Sequence, residues 1–322
     1  MTNTFSLTAD YRMDITDIHI LRLLADNCRL SFRNIGLKLG LTTNTVKRRV
    51  NNLVKNKIIS KFMANVSPAY LGYSRVILLT IRLNKEQPEK LEKKLVAFGQ
   101  LYFHVQGAGG MAVYGLAISN DSAEEGTEVK WKNHSIVQNI EEVVKPAQIY
   151  NAFCSAKLST SVVLKDIDRK MIKYLISNPR ATALKMASDL AVSQRTIIRR
   201  LERMVKHKVF DFGIVYNPEA MKGFIYLGML IQVERLYHKD IVQRLYADLE
   251  GRFLRHTQLI HSDLIVLNLF AENIFQIEEM LQQVESYKGV RKAEIFQSLK
   301  IQWNHDWIAE KIVDSAYPEP EL

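Results

Sequence analysis

Cysteine is almost missing from this chain: Cys28 and Cys154 are the two among 322 residues. They lie too far apart in sequence to suggest a disulfide framework or a metal site, and such sparse usage suits a reducing compartment. No apolar run approaches the roughly 20 residues needed to span a bilayer. Met1 to Asp10 is polar and lacks the apolar centre of a signal sequence, so a cytoplasmic protein is expected. No two histidines share a metal-like spacing with a cysteine, and neither a phosphate-cradling glycine loop nor a nucleophile elbow is present. Acidic residues are missing locally as well. Between Asn27 and Lys85 there is no Asp or Glu.

What fills that stretch is positive charge: Arg29, Arg33, Lys38, Lys47, Arg48, Arg49, Lys55, Lys57, Lys61, Arg75, Arg82 and Lys85. The whole chain carries a net charge of +10 with a pI near 9.4. A generic solvated surface mixes signs, whereas a long stretch of one sign is the footprint of a nucleic-acid face. Hydrophobic content of 47% is ordinary for a globular protein, and the length implies two or more domains.

The segment Thr42 to Lys55 organises the rest. Thr42 is placed to cap a helix, and Val46, Val50 and Leu53 recur at helical spacing as a buried stripe. Thr43, Asn44, Lys47, Arg48, Asn51 and Lys55 then face away, with Lys57 just beyond the helix end. Donors that pair with phosphate and base edges thus line one side of a short helix, as a major-groove reader requires. The pattern returns without gaps at an offset of 151 residues, where Asp17 matches Asp168, Leu24 matches Leu175, Arg29 matches Arg180 and Leu39 matches Leu190. Ser193 becomes the cap, Arg199 and Arg200 match Arg48 and Arg49, and Lys206 and Lys208 match Lys55 and Lys57. Cys28 becomes Pro179, so no chemistry common to both halves depends on it.

Each copy opens with three helical patterns, at 14–25, 32–39 and 42–55 in the first and at 168–176, 183–190 and 193–206 in the second. A tight joint before the third makes a helix-turn-helix, and the extended segment Lys57 to Val66 reads as a short wing. Strand and helix patterns then follow in the order βαββαβ. In the first copy they fall at 74–83, 89–98, 101–105, 111–118, 124–140 and 148–154; in the second at 224–233, 239–249, 253–260, 264–270, 274–287 and 293–303. The expected fold class is α+β: two copies of a winged helix-turn-helix followed by a ferredoxin-like βαββαβ domain. The expected divisions are 1–66, 67–160, 161–216 and 217–322, the last including a tail with no counterpart in the first copy.

These helices, the Pro68 to Gly72 and Pro218 to Gly223 joints and the βαββαβ order resemble the Lrp/AsnC (feast–famine) transcriptional regulators. The resemblance implies a regulator that binds double-stranded DNA and self-associates through RAM-like sheet domains. It also implies an amino acid or similar effector rather than a cofactor. Family members normally carry one copy per chain, so here the sheets are expected to pair either within one chain, packed on each other, or between chains. The glycine-containing turn that contributes to the family's effector site is represented by Gly107, Gly109 and Gly110 in the first copy. In the second copy that place is taken by His261, Ser262 and Asp263. A tight turn without a ligand is the alternative reading of those glycines.

The expected DNA-contacting residues of the second copy are Gln194, Arg195, Ile198, Arg199, Lys206 and Lys208. Arg48 and Arg199 suit guanine or phosphate, Asn44 and Gln194 suit adenine, and the lysines suit phosphates. Arg49 and Arg200 flank the buried stripe and are expected to hold Asp17 and Asp168. Lys47 becomes Ile198, Asn51 becomes Glu202 and Asn44 becomes Arg195, so the halves are expected to prefer different half-sites. Two alternatives stay open. Siroheme decarboxylases resemble the same fold, and Tyr102, His104, Arg255 and His256 would then serve a tetrapyrrole. An architectural, weakly specific DNA-binding protein is the other. Cationic recognition helices weigh against the enzyme, and no catalytic residue or metal ligand is assigned.

Overall fold

The computed structural model describes residues 11–82, 88–96, 99–118, 148–154, 160–249, 251–258, 264–304, 307–308 and 311–312. The first helical unit comprises α1 (Ile15–Asp26), α2 (Phe32–Leu39) and α3 (Thr43–Lys55), followed by strand β1 (Ile59–Val66). Each helix starts where a short polar side chain takes a free backbone N–H. Asp14 accepts from the Asp17 backbone N–H at 3.0 Å, Ser31 from Asn34 at 3.1 Å and Thr42 from Thr45 at 3.1 Å. Gly40, at φ +67°, ends α2 in the left-handed conformation that glycine adopts freely. After a 3-10 turn at Pro68–Leu71 come β2 (Arg75–Arg82), α4 (Pro88–Leu95), β3 (Gln100–Gly107), β4 (Met111–Ile118) and β5 (Gln148–Cys154). The helix expected over 124–140 lies outside the described residues, as does Asp263.

The second copy repeats the order as α5 (Asp166–Ser177), α6 (Ala183–Asp189), α7 (Gln194–Lys206), β6 (Phe210–Tyr216), β7 (Ile225–Val233), α8 (His238–Asp248), β8 (Phe253–Gln258), β9 (Leu264–Ala271), α9 (Ile274–Glu285) and β10 (Val290–Trp303). One local departure from the first copy has an energetic consequence. Where Gly40 ends α2, Ala191 follows α6 at φ +53°. A left-handed residue with a Cβ costs about 1–2 kcal/mol, and glycine returns roughly half of that gain as extra unfolded-state entropy. Ala191→Gly is therefore expected to raise stability by about 0.5–1 kcal/mol. A urea midpoint that falls instead would show that the alanine is not strained.

The segment expected as a wing is extended, as strand β1, and finds its partner in the other unit. Neither helical unit builds a two-stranded wing of its own. β1 pairs antiparallel with β6 of the other unit, from Ile59 opposite Tyr216 to Val66 opposite Phe210. A lone strand leaves its backbone donors and acceptors without partners, and here each unit supplies the other's. The register is self-complementary: Phe62 faces Ile214 and Met63 faces Gly213, and the offset of 151 carries each of these pairs into the other. This is how a two-fold dimer pairs its strands, realised within one polypeptide. Buried side chains of both units, among them Ile18, Leu21 and Leu53 with Met171, Leu175 and Met204, join one core.

The sheet domains also meet within the chain, and chiefly by their edges. The strand order β5-β2-β4-β3-β10-β7-β9-β8 is one continuous eight-stranded sheet. Each half has the ferredoxin-like order, fourth strand, first, third, second. The junction is β10, whose Val290 to Gln297 segment pairs with β7 while Ser298 to Trp303 pairs with β3. Leu78 and Val113 of the first half and Leu230, Leu264 and Phe296 of the second share an apolar cluster. Gly228 admits the Phe296 ring, since a Cβ there would come within 2.2 Å of it. The tail adds to the other core: Ile308 and Ile312 are buried, and Trp307 packs edge-on against Tyr73 at 5.6 Å.

Candidate nucleic-acid interface

The two third helices, α3 and α7, are built alike. Val46, Val50 and Leu53 of α3 are buried, as are Ile197 and Met204 of α7. That anchoring turns the opposite faces outward. Thr43, Asn44, Lys47, Arg48, Asn51, Lys55 and Lys57 are all exposed. So are Gln194, Arg195, Ile198, Arg199, Lys206 and Lys208. Ile198 leaves 40% of its surface open, in the place where α3 carries Lys47. The arrangement offers two raised rows of donors on a positively charged surface, which suits the acceptors of a phosphate backbone and of purine edges.

The paired arginines divide by role. Arg49 reaches Asp17 at 3.0 Å and Asp14 at 2.9 Å, while Arg200 reaches Asp168 at 2.9 Å. Asp17 and Asp168 are 1% and 2% exposed, so each third helix is tied by an ion pair to the buried start of its unit's first helix. Lys57 and Lys208 close the third helices at φ +58° and +52°. Their backbone N–H groups donate to Val54 and Val205, both at 3.0 Å. Glycine would relieve about 1 kcal/mol at either position, yet both units carry lysine.

Arg29 departs from the expected cationic face. It turns inward and donates to the carbonyls of Pro179 and Ala181, both at 2.7 Å, and covers the Phe212 ring. Its counterpart Arg180 crosses the other way, donating to the Leu30 carbonyl at 3.4 Å and lying over Phe32 and Phe62. The reciprocal clasp holds the two units together. Sequence reasoning matched these arginines as repeats without seeing that each serves the other copy; their shared offset was the available signal. Cys28 sits beneath them, its thiol pushed up to about 11 by burial, which keeps it protonated and unreactive near neutrality.

The glycine turn meets a backbone requirement of its own. Gly109 and Gly110 have φ of +66° and +78°, and a Cβ on Gly107 would come within 3.1 Å of the Gln297 carbonyl of β10. The residues weighed for tetrapyrrole chemistry are engaged in packing where they are described. Tyr102 donates to Asn65 and stands edge-on to Trp303 at 5.6 Å. His104 is stacked on Tyr114 at 4.5 Å with its Nδ1 3.0 Å from Glu92, and burial pulls its pKa below the usual imidazole value. The side chains of Arg255 and His256 lie outside the description. Among the described residues no group of three metal-ligating side chains forms, and no helix is long and apolar enough to cross a membrane.

Comparison with known proteins follows the repeat. Residues 13–54 and 164–205 each match the AsnC-type helix-turn-helix domain. The HTH-type transcriptional regulator Ptr1 of Methanocaldococcus jannaschii is 32% identical over 125 residues, 39% of this chain and 84% of that protein. The HTH-type transcriptional regulator LrpA of Pyrococcus horikoshii is 31% identical over 86 residues, 27% of this chain and 61% of its own length. Of other Pyrococcus regulators the chain spans about half, 56% of one and 44% of another. The solved structure of the siroheme decarboxylase NirDL aligns with 93% of this chain and 98% of its own, at 12% identity and a TM-score of 0.48, which is too loose to bear on activity. With its helix-turn-helix matched twice and a regulator 32% identical covered over 84% of its length, the chain belongs to the Lrp/AsnC family of DNA-binding transcriptional regulators.

Proposed function

We propose that this regulator reads two different half-sites with a single chain. The observation that carries the reading is the self-complementary β1–β6 pairing, which relates α3 and α7 as two subunits of a dimer are related while leaving their outer faces unlike. Arg48 and Arg199 serve as the common anchors, and Lys55, Lys57, Lys206 and Lys208 take phosphates. Asn44, Lys47 and Asn51 then meet bases that Arg195, Ile198 and Glu202 do not prefer. An exposed isoleucine suits a thymine methyl group, and glutamate repels phosphate and accepts from cytosine.

Selection from random duplexes is expected to return a site whose two halves differ, with each base-contact difference worth about 1–3 kcal/mol. A perfect palindrome bound by one chain would overturn the reading. Uniform affinity across sequences would favour an architectural role instead. The regulator acts in the cytoplasm without catalysis, in keeping with its regulator relatives. Copies of the chain associate further through their sheet domains.

A further inference from the structure

The two helical units meet along two lines of polar contact. The first is the β1–β6 ribbon, which the Ser67 and Asn217 N–H groups extend at its ends by donating to the Val209 and Ile58 carbonyls at 2.8 and 2.9 Å. A ribbon of only two strands twists over a wider range than a larger sheet does. It holds the units side by side but leaves the angle between them soft. The apolar core that they share favours contact without direction. The second line is the reciprocal contact of the loops that follow α1 and α5. Arg29 of one loop places Nη1 and Nη2 on the Pro179 and Ala181 carbonyls of the other, both at 2.7 Å. Arg180 donates back to the Leu30 carbonyl at 3.4 Å. Both guanidinium groups lie over rings of the ribbon, Arg29 at 5.1 Å from the centre of Phe212 and Arg180 at 4.8 Å from that of Phe62. Phe62 faces Ile214 and Phe212 faces Ala64, so these residues flank the Met63–Gly213 pair in the ribbon's self-complementary middle.

Two bonds from one planar fork fix direction as well as distance, which the point charge of a lysine does not. Each arginine thereby ties the other unit's loop to the middle of the ribbon. The Asp17–Arg49 and Asp168–Arg200 pairs carry that orientation from the first helix of each unit to α3 and α7. We propose that Arg29 and Arg180 are positioning residues for DNA binding: they set the angle between α3 and α7 and so confine the chain to operators with a single half-site spacing. The proposal rests on the two-half-site reading above. Arg29, with two short bonds against one long one, has the larger part. One added base pair turns a half-site about 35° around the duplex and carries it about 3.4 Å along the axis. Units held along both lines do not follow that turn, whereas the twist range of a two-stranded ribbon covers much of it.

The test measures the affinity of the full chain for a selected duplex, for that duplex with a base pair inserted or removed between its halves, and for a duplex carrying one half alone. The wild-type chain is expected to lose at least about tenfold on either change of spacing. Arg29→Gln is expected to bind the original duplex more weakly, to lose about threefold or less on the same change, and to keep wild-type affinity for the isolated half. Arg180→Gln should fall between the two, and it carries the test if circular dichroism shows Arg29→Gln to be unfolded. Wild-type indifference to spacing, or a folded Arg29→Gln chain with undiminished discrimination, overturns the proposal. An equal loss on the isolated half overturns it too, by making Arg29 a contact to DNA. The clasp is judged separately without DNA, from the distance between spin labels at Lys47→Cys and Ile198→Cys in a Cys154→Ser background. One narrow distribution is expected, broadened by Arg29→Gln, and an unchanged distribution overturns the clasp. A selection that returns no two-part site would remove the reading above and the spacing rule with it, leaving the clasp to the label distances.

Discussion

Replacing Arg48 and Arg199 together by alanine is expected to weaken operator binding by roughly thirtyfold or more, at about 1 kcal/mol or above per arginine. Both side chains are exposed and stand at the same place on α3 and α7. Neither supports the fold as Arg49 and Arg200 do, so the loss should appear with the folded state intact. The salt dependence separates the roles. Each cation on a phosphate contributes about 0.9 to the slope of log affinity against log salt. If both arginines meet phosphates, the slope falls by about 2. If both read guanine, the slope changes less and discrimination against the substituted base pairs collapses instead. Binding by the double variant that matches wild type across a salt series would remove these residues from the interface.

Truncating Asp168 carries the largest expected effect on the fold. Its carboxylate accepts from Arg200 and from the Lys165 backbone N–H, each at 2.9 Å, and is 2% exposed. Removing one partner of a buried pair leaves the other charge uncompensated, at a cost of about 3–5 kcal/mol. Asp168→Ala is expected near the upper part of that range, because Arg200 has no second carboxylate among the described ion pairs. Asp17→Ala is expected at the lower end, because Arg49 keeps Asp14 at 2.9 Å. Urea denaturation followed by helical circular dichroism tests the order. An Asp17 variant less stable than the Asp168 variant would contradict it. DNA affinity should drop in both although neither aspartate faces the outer surface, since each ion pair sets the seat of a third helix.

Most of the candidate interface was legible in the sequence. The spans 43–55 and 194–206, their caps Thr42 and Ser193, and the outward set from Thr43 to Lys57 depend on bonds and periodicities within one turn of helix. The Asp17–Arg49 and Asp168–Arg200 pairs were legible too, because opposite charges recurred together at one offset on facing helices.

What the sequence by itself determined is therefore the duplication, the helices and the direction each helix faces, all consequences of short-range physics repeated twice. Only the tertiary structure decided who pairs with whom. A strand pattern states which faces are apolar, but its backbone hydrogen bonds accept any antiparallel neighbour, so neither the β1–β6 exchange nor the β3–β10 junction is written in local periodicity. The crossing of Arg29 and Arg180 follows from that exchange, since only the joined units bring each arginine to the other's loop carbonyls. Arg180 stacks on Phe32 and Phe62 where the other copy has Ala183 and Gly213. Side-chain volume acquires that meaning only once distant segments are packed together.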